Sequence, residues 1–514
     1  MKRLHRRLFI ILLNIISVFS ILLAQPPHDT KLRLLEGAWP RHCYETDFIN
    51  RVNDLHKEGY ERWINVAWAT MLIDKEIIPK EYGPEVATLL LECWKPDDDD
   101  DYYSGFVAEQ NYVIDKLGKP VGGNINIART SPPNRQTMPV RHKLLIAMSI
   151  IHDYQEALIN TAEKYKMAIM PGYTHMRHAQ TMTFGHYLLS VNDAVERSMK
   201  IVEESYNLMN LSEIGCGALA GTSWDVDRNI VADYLGMDGI IENSNDAVGY
   251  SDGFLIVVAG ITNIMNIASR MALDLNYWST LEYGFIEDQY RGDSFMMPQK
   301  NSNQAYLERV RVGAAKTMGY LTDIAAMSTR CPHGDMVEML HMQDGPICAL
   351  DGIDSYLSPM IKQLNGITVN EDRMLEVARK GFSCATELAN QMVRDYGIDY
   401  RTAHEIVHYF VNESEKKGIP ASQAKADMLD EEAMKVIGKE LKMTDQRVRE
   451  LLDPIYFVRV TNSQGGIAPD EVQRMIEIRR KNLADATQRQ FDRVKQLEDA
   501  QKMMLKHLKS IAKH

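Results

Sequence analysis

The sequence predicts an almost entirely α-helical protein built around a bundle of long helices. Its clearest segment repeats apolar residues at three- and four-residue steps, which indicates a long buried helix. The repeating residues are Ile256, Gly260, Ile264, Ile267, Met271, Leu275 and Trp278. Similar spacing occurs in the stretches Gly185–Met209, Asn303–Ser328 and Asp351–Leu364. Alternating segments typical of strands are few and short.

Composition and charge narrow the function classes. The chain has 514 residues, 45% hydrophobic and 25% charged, so it can bury a large core and form two or three domains. Its net charge of -12 argues against nucleic-acid binding, which needs basic side chains to neutralise phosphates. An anionic small-molecule substrate stays compatible, because it requires only a local cluster of donors. The six cysteines form no CxxC pair, so neither a disulfide scaffold nor a metal site is predicted, and no cofactor is predicted.

The N-terminus has the pattern of a secretory signal peptide. Basic residues within Lys2–Arg7 precede the apolar stretch Leu8–Ala24, and cleavage is expected after Ala24. Leu22 stands where a small residue is preferred, so an uncleaved membrane anchor is the alternative. No later run is expected to be long and apolar enough to span a bilayer. We therefore expect a signal peptide at residues 1–24 and an exported, periplasmic protein with no membrane association after cleavage.

The C-terminal tail has the pattern of a long amphipathic helix. After Pro469, apolar residues recur among many charged ones. They are Phe491, Val494, Leu497, Met504, Leu508 and Ile511. We expect this helix to dock on the protein or on a partner subunit rather than on a membrane.

The motif HEIVH at His404–His408 matches the H-E-x-x-H pattern of zinc metalloproteases. Histidines at i and i+4 share one face of a helix, and the glutamate beside them suits activation of a metal-bound water. However, Val411 stands where a metzincin has glycine, and Met428 stands about where a thermolysin-like enzyme has its third ligand. Only the acidic run Asp430–Glu432, slightly further on, could provide that third ligand instead. We favour an ordinary structural helix, with a zinc protease as the distant alternative.

Three separated stretches carry the strongest functional signal. They are PGYTHMRHAQTMTFGHYLLS (Pro171–Ser190), GCGALAGTSWDVDR (Gly215–Arg228) followed by ENSNDAVGYSD (Glu242–Asp252), and RGDSFMMPQKNSNQ (Arg291–Gln304). Two downstream segments, GFSCATELANQMVRDYGIDYRTAHEIVH and NSQGGIAPDEVQ, add to them. Together they resemble the fumarase/aspartase superfamily, and its argininosuccinate lyase branch in particular. The resemblance places HEIVH within a structural helix of that family.

The resemblance implies an all-α fold of three domains with a long central helical bundle, assembled as a homotetramer around a twenty-helix core. It places an N-terminal helical domain at residues 25–128, a central bundle domain at 129–377 and a C-terminal helical domain with the extra tail helix at 378–514. It also implies active sites shared between subunits and a small dicarboxylate substrate. The implied reaction is anti β-elimination from a 2-substituted succinate, which releases fumarate.

The chemistry of this reaction gives the matching residues their roles. Removing a proton beside a carboxylate creates a dianion, so the enzyme needs a base at Cβ, positive charge at the carboxylate and donors where negative charge develops. By the resemblance, Ser294 is the base, activated by nearby cations and helix N-terminal amides, and Lys300 supplies positive charge. His175 assists proton transfer to the leaving group. Glu308, allowing one inserted residue after Lys300, orients this histidine.

The resemblance also assigns residues that hold the substrate. Thr174 matches the threonine that binds a substrate carboxylate, and Gln343 lies where the family has a substrate-binding glutamine. Arg129 and Asn134 match the family segment GRSRND, which is ARTSPPNRQ here. The family's loop asparagine matches Asn303 if one residue is inserted after Lys300, and Asn301 is the alternative.

The sequence departs from the family at the loop and on the leaving-group side. The loop has Asp293 and Phe295 where the family has glycine and a second serine. Argininosuccinate lyases have a tyrosine and a lysine flanking the position of Gln343, and these positions hold Glu338 and Pro346 here. The succinate half of the pocket is therefore kept, and the arginine half is rebuilt.

We therefore expect a fumarate-releasing lyase for another succinyl adduct, because argininosuccinate is made and used in the cytoplasm and this chain carries an export signal. S-(2-succino)cysteine, which splits into fumarate and cysteine, is favoured. Its thiolate is a better leaving group than a guanidine and needs less help from a general acid. An N-succinyl amino acid or diamine and argininosuccinate itself are the alternatives. A non-catalytic relative that keeps the fold is more distant, and Asp293 beside the base favours it slightly.

Overall fold

The computed structural model describes residues 47–95, 105–130, 137–287, 305–334 and 336–513. The first part of the described chain consists of short helices. In chain order they are α1 (Asp47–Asp54), α2 (Tyr60–Asp74), α3 (Gly83–Cys93), α4 (Ala108–Leu117) and α5 (Lys119–Gly122). Helix α2 is buried along most of its length, including Trp63 and Trp68. A helix that is apolar on all sides lies in a core, and α2 is the core of this N-terminal part.

The central part is a bundle of long helices, as predicted. In chain order the helices here are α6 (Thr137–Lys164), α7 (Phe184–Met209), α8 (Arg228–Tyr234), α9 (Ser244–Val248), α10 (Asp252–Trp278), α11 (Ala305–Ser328), α12 (Val337–Met342) and α13 (Asp344–Gly366). The long helices α6, α7, α10, α11 and α13 pack against one another. The stretches that showed helical spacing in the sequence lie on α7, α10, α11 and α13.

Helix α10 forms the centre of the bundle because apolar residues cover most of its circumference. Met271 and Leu275, two of the residues that predicted it, are fully buried. Gly260 lets α7 approach closely, since a Cβ added there would lie 3.0 Å from Val202 Cγ2. The all-α prediction is therefore confirmed, and its long apolar repeat is explained by close helix packing.

Helix α10 is also the one helix in the described ranges that is long and apolar enough to cross a bilayer by length and composition. The expectation that no such segment follows the predicted signal peptide is therefore wrong. In this fold 56% of its apolar window is buried inside the protein, where it packs against α7 and α11. Its apolar character is explained by its position in the bundle core.

Short strands lie at the ends of the long helices. Strands β1 (Ile169–Thr174) and β2 (Arg177–Thr183) form an antiparallel hairpin between α6 and α7. The other pairings are β3 (Leu211–Ser212) parallel to β4 (Gly239–Ile240), and β5 (Ile286–Glu287) antiparallel to β6 (Thr368–Val369). Among the described residues, strands are thus few and short, as the sequence predicted.

The C-terminal part has its own hydrophobic core. Its helices are α14 (Glu371–Lys380), α15 (Ala385–Tyr396), α16 (Tyr400–Lys416), α17 (Ala426–Ile437), α18 (Asp445–Leu451) and α19 (Pro454–Val460). Met392, Phe410, Leu429 and Leu451 are fully buried in this core. The predicted boundaries at 128/129 and 377/378 stay predictions, and the predicted signal peptide lies outside the described residues.

The tail forms a single long helix, α20 (Pro469–Ile511), which returns to the bundle and packs on α6. On its apolar face, Val494, Leu497 and Leu508 are fully buried. Each such side chain contributes about 1.5–3 kcal/mol by leaving water. Arg479 adds two bonds to the Asp193 carboxylate of α7, at 2.8 and 2.7 Å. The amphipathic tail of the sequence thus docks on its own chain.

Candidate active site

A β-hairpin presents the predicted catalytic histidine at its turn. Thr174 pairs with Arg177 across β1 and β2, which leaves His175 and Met176 as a two-residue turn. Both have positive φ, 52° and 57°, as in the type I′ turns that match the twist of two strands. Such turns favour Asn-Gly, because the left-handed conformation costs most residues about 1–2 kcal/mol. Strain of this kind concentrates at functional sites, and the turn here leaves Thr174 and His175 exposed to solvent.

The base of the hairpin is fixed to the segment that leads into α15. Thr181 Oγ1 lies 2.8 Å from Ser383 Oγ and 3.4 Å from Cys384 Sγ, and all three side chains are buried. Gln180 Nε2 donates to Thr386 Oγ1 at 3.2 Å. A hydrogen bond of this kind contributes about 1 kcal/mol. The hairpin is therefore held at its base while its tip stays open.

Aromatic rings pack against the hairpin at Tyr173. Tyr173 packs edge-on against His178 and against Tyr283, with ring centroids 5.3 and 5.9 Å apart. Tyr283 in turn packs against Phe285, at 5.4 Å. Burial raises the pKa of Tyr173 to about 12 and lowers the pKa of His178 below its ordinary value, so both rings are neutral near pH 7. The hairpin is thus packed against the chain that leads into β5.

Arg129 lies at the end of the N-terminal part of the described chain. Its guanidinium stacks over the Phe106 ring, 4.6 Å from the centroid, and Nη1 donates to Asn126 Oδ1 at 3.2 Å. Burial lowers its pKa to about 10, against the opposing pull of Glu109, so the guanidinium stays charged. Its Nε has no acceptor among the described residues. The side chain is thus positioned by Phe106 and Asn126.

Glu308 and Gln343 lie on the bundle. Glu308 is exposed in the first turn of α11. Gln343 stands at the junction of α12 and α13, half-buried, and its Nε2 donates to Leu340 O at 3.1 Å. Within the described ranges, no hydrogen bond or ion pair joins either residue to His175 or Thr174. The hairpin turn thus carries Thr174 and His175, while Glu308 and Gln343 lie on other elements of the chain.

The remaining predicted residues cannot be placed in this geometry. Ser294, Lys300, Asn303 and Asn134 lie outside the described residues, as do the departures Asp293 and Phe295. Their roles stay predictions. The described part of the candidate site is therefore the hairpin tip, the Arg129 side chain and the α11 and α12–α13 positions.

The second recognisable stretch, Gly215–Arg228, forms a loop that is closed by its own arginine. Arg228 Nε donates to Ile214 O at 2.8 Å, and Nη2 donates to Ile241 O at 2.7 Å. Its apolar Leu219 and Trp224 are nevertheless 50% exposed. A well-fixed loop that shows large apolar side chains is typical of an interaction surface.

The HEIVH motif lies on α16 in the C-terminal part. His404 and His408 are exposed on one face, with their rings stacked 6.4 Å apart, while Ile406 and Val407 are buried in the C-terminal core. No group of three or more His, Cys, Asp or Glu side chains arranged to hold a metal occurs in the part of the chain that the structure describes. The motif serves the packing of a structural helix, which is the favoured interpretation.

Comparisons with known proteins match most of the chain. A family model described as "Lyase" matches residues 99–319, and one described as "Argininosuccinate lyase C-terminal" matches residues 382–459. Argininosuccinate lyase from Methanothrix thermoacetophila is 32% identical over 473 residues, which cover 88% of this chain and 94% of the relative. The chain belongs to the argininosuccinate lyase branch of the fumarase/aspartase superfamily.

Other members of the superfamily support this assignment. Argininosuccinate lyase from Methanocaldococcus jannaschii is 32% identical over 448 residues, 83% of this chain and 89% of the relative. The crystal structure of EDDS lyase in complex with formate matches with a TM-score of 0.78 at 25% identity, covering 91% of this chain and 93% of the other. The protein is thus a fumarate-forming lyase with the fumarase/aspartase fold.

One residue of the hairpin was missed by sequence reasoning. Arg177 stands directly opposite Thr174 on the neighbouring strand, and directly opposed residues share one face of a hairpin. The sequence shows only that Arg177 follows the GYTH segment by two positions. Its place beside Thr174 depends on the turn at His175 and Met176, which neither composition nor periodicity indicates.

Proposed function

We propose that this lyase releases fumarate from S-(2-succino)cysteine, with cysteine as the other product. The observation that carries the proposal is the altered leaving-group side of the pocket. Pro346 is buried in the first turn of α13, and Glu338 is half-buried in α12. Neither provides the hydroxyl or the cation that the family's tyrosine and lysine provide. A thiolate leaving group has less need of them than a guanidine has.

In the proposed reaction the succinate half is handled as in the family. Ser294 removes the Cβ proton, and Lys300 stabilises both the alkoxide and the dianion that forms. Thr174 and Asn303 hold a carboxylate, with Gln343, Arg129 and Asn134 completing the pocket. His175, oriented by Glu308, delivers a proton to the departing sulfur. Elimination then yields fumarate and a neutral thiol.

We also propose a homotetramer whose active sites are shared between subunits. Within one chain, no hydrogen bond or ion pair joins His175 to Glu308 in the described part, so a site in which Glu308 orients His175 would draw on more than one subunit. Large apolar side chains on the long bundle helices are exposed, including Tyr277 on α10 at 44% and Val312 on α11 at 51%. Exposed apolar surface of this kind supports burial against other subunits. Light scattering of the purified protein tests the tetramer.

We further propose that the protein is exported to the periplasm after cleavage at Ala24. The basic head and apolar stretch of residues 1–24 support this. Cell fractionation followed by N-terminal sequencing tests it. A periplasmic protein beginning after Ala24 is expected, whereas a full-length chain in the membrane fraction would indicate an anchor.

The test of the reaction is fumarate release, followed by ultraviolet absorbance. The mature protein is offered S-(2-succino)cysteine, N-succinyl amino acids, an N-succinyl diamine and argininosuccinate in parallel. We expect the thioether to be the best substrate and Ser294→Ala to abolish turnover. Turnover of argininosuccinate alone would reject the thioether and favour the second candidate, argininosuccinate lyase, which the relatives at 32% identity support. If no substrate releases fumarate, the interpretation as a non-catalytic relative is favoured.

A further inference from the structure

A large cleft lies beside the hairpin, between it and the C-terminal helices. Its volume is about 940 Å³, enough for a ligand larger than a dicarboxylate. One wall comes from the hairpin, including Tyr173 and Arg177, and the opposite wall comes from α14 and the segment leading into α15. Nothing in the succinate chemistry described above uses this space.

The cationic side chains that line the cleft differ in whether neighbouring groups already bind them. Arg373 donates to Tyr283 O at 3.0 Å and to Glu282 O at 3.2 Å. Arg373 and Lys380 also pair with the Glu376 carboxylate, at 2.8 and 2.7 Å, and lower its pKa to about 2. These two cations are therefore already engaged.

Arg177 differs from them. Its guanidinium is exposed and has no hydrogen-bond or ion-pair partner among the described residues. A planar guanidinium is suited to bind a carboxylate through two parallel hydrogen bonds. Two carboxylates, Glu282 and Glu415, also line the cleft. The lining thus offers one open site for a carboxylate and two anions for an ammonium group, which together match an α-amino acid.

Arg177 also connects this cleft to the catalytic hairpin. Its pairing with Thr174 puts both side chains on one face, with Cβ atoms about 4.5–5.5 Å apart. Thr174 is the residue proposed to hold a succinate carboxylate. A substrate held there has its leaving group within reach of Arg177, which lines the cleft together with Met176.

We infer that the cleft forms a part of the leaving-group side separate from the α12–α13 positions of Glu338 and Pro346, and that Arg177 selects an α-amino acid leaving group by binding its carboxylate. The inference rests on the proposed function and narrows it, because simple amines and diamines lack this carboxylate. Arg177 acts here as a specificity-determining residue, separate from the proton transfers.

The test compares two substrates that differ only in that carboxylate, S-(2-succino)cysteine and S-(2-succino)cysteamine, with the wild type and Arg177→Gln. In the wild type, removal of the carboxylate should lower kcat/KM about 10- to 100-fold, as expected for loss of a hydrogen-bonded charge pair. Arg177→Gln should lose a similar factor with the cysteine adduct and almost nothing with the cysteamine adduct. Arg401→Gln, an exposed arginine of α16 outside the cleft, is the matched control. Equal losses on both substrates, or no loss on either, would overturn the inference.

A binding measurement separates this inference from the proposed reaction. Titration calorimetry with S-methylcysteine, a stable mimic of the leaving group, needs no turnover. We expect binding by the wild type and at least about tenfold weaker binding by Arg177→Gln. If the wild type binds the mimic but releases no fumarate from either adduct, the proposed function fails and the subsite stands. If fumarate is released but the mimic does not bind, the subsite fails alone.

Discussion

The His175–Met176 turn allows the role of the imidazole to be tested without disturbing the fold. His175 has a φ of 52°, and asparagine is among the few residues that adopt this conformation readily. His175→Asn should therefore keep the turn, with a change in unfolding free energy within about 0.5 kcal/mol, because the side chain is exposed. Lys442→Asn is the matched control, since Lys442 has a φ of 58° on the surface of the C-terminal part.

The expected effect on catalysis depends on the leaving group. A general acid contributes about 10²- to 10⁴-fold when the leaving group is basic and little when it departs readily as an anion. We propose a series of 2-succinyl thioethers whose leaving thiols span a range of acidity. In the wild type, kcat should vary weakly with the pKa of the thiol. In His175→Asn it should fall steeply as that pKa rises, and the most acidic thiols should be almost unaffected.

The assay is fumarate release under saturating substrate, and the slope of log kcat against thiol pKa is the measured quantity. Equal slopes in the wild type and the variant would refute the assignment of His175 as the acid. A uniform loss across the series would instead indicate that the histidine positions the hairpin or the succinate.

Stability measurements test three other contacts. Gly236 has a φ of 64°, and a Cβ there would lie 2.9 Å from Leu497 Cδ2 of α20; Gly236→Ala should cost about 2–4 kcal/mol in urea unfolding. Gly438→Ala, with a φ of 66° and open space around it, should cost only about 1–2 kcal/mol, and equal losses would contradict the docking of α20. Burial lowers the pKa of His152 to about 4, below the ordinary 6.5. The unfolded chain therefore binds this proton first, and the unfolding free energy should fall by about 2–3 kcal/mol between pH 6.5 and 4. His152→Gln should flatten this decline, and an unchanged slope would show that other groups cause it. Thr181→Val removes the hydroxyl that is hydrogen-bonded to Ser383. It should lower the unfolding free energy by about 1–2 kcal/mol and lower kcat by loosening the hairpin. An unchanged melting temperature would show that the hairpin does not need this bond.

The helical bundle could be predicted because its cause is local. A helix buried on most sides must carry apolar residues at three- and four-residue spacing, and α10 does so over its whole length. The same property gives α10 the length and composition of a membrane span, contrary to the expectation that no later segment has them, since composition does not distinguish burial in a bundle from burial in lipid. The tail helix α20 was predictable for the same reason, but the surface on which it docks was not.

The site could be predicted only as far as its motifs reach. The GYTH segment identified Thr174 and His175, yet no periodicity indicated that they lie on a hairpin turn with positive φ. The positive φ angles of the turn are tolerated because contacts with other parts of the chain fix the hairpin. One such contact joins Thr181 to Ser383, 202 positions away in the chain. Contacts at such separation depend on the assembled fold and leave no pattern within either segment.

Leaving-group specificity is the property for which this limit matters most. By the resemblance, the family motifs bind the succinate, because the same proton must be removed from every substrate, whereas the leaving-group side is expected to vary with the group that departs. In this chain the inferred amino-acid part of that side is formed by a hairpin residue, Arg177, and by helices that begin about two hundred positions later, at Glu371. Arg177 becomes a selective residue only because Arg373 and Lys380 are already engaged by neighbours on their own side of the cleft. All these pairings together determine which cation remains available to a ligand. Comparing two substrates that differ by one carboxylate measures directly whether Arg177 is that cation.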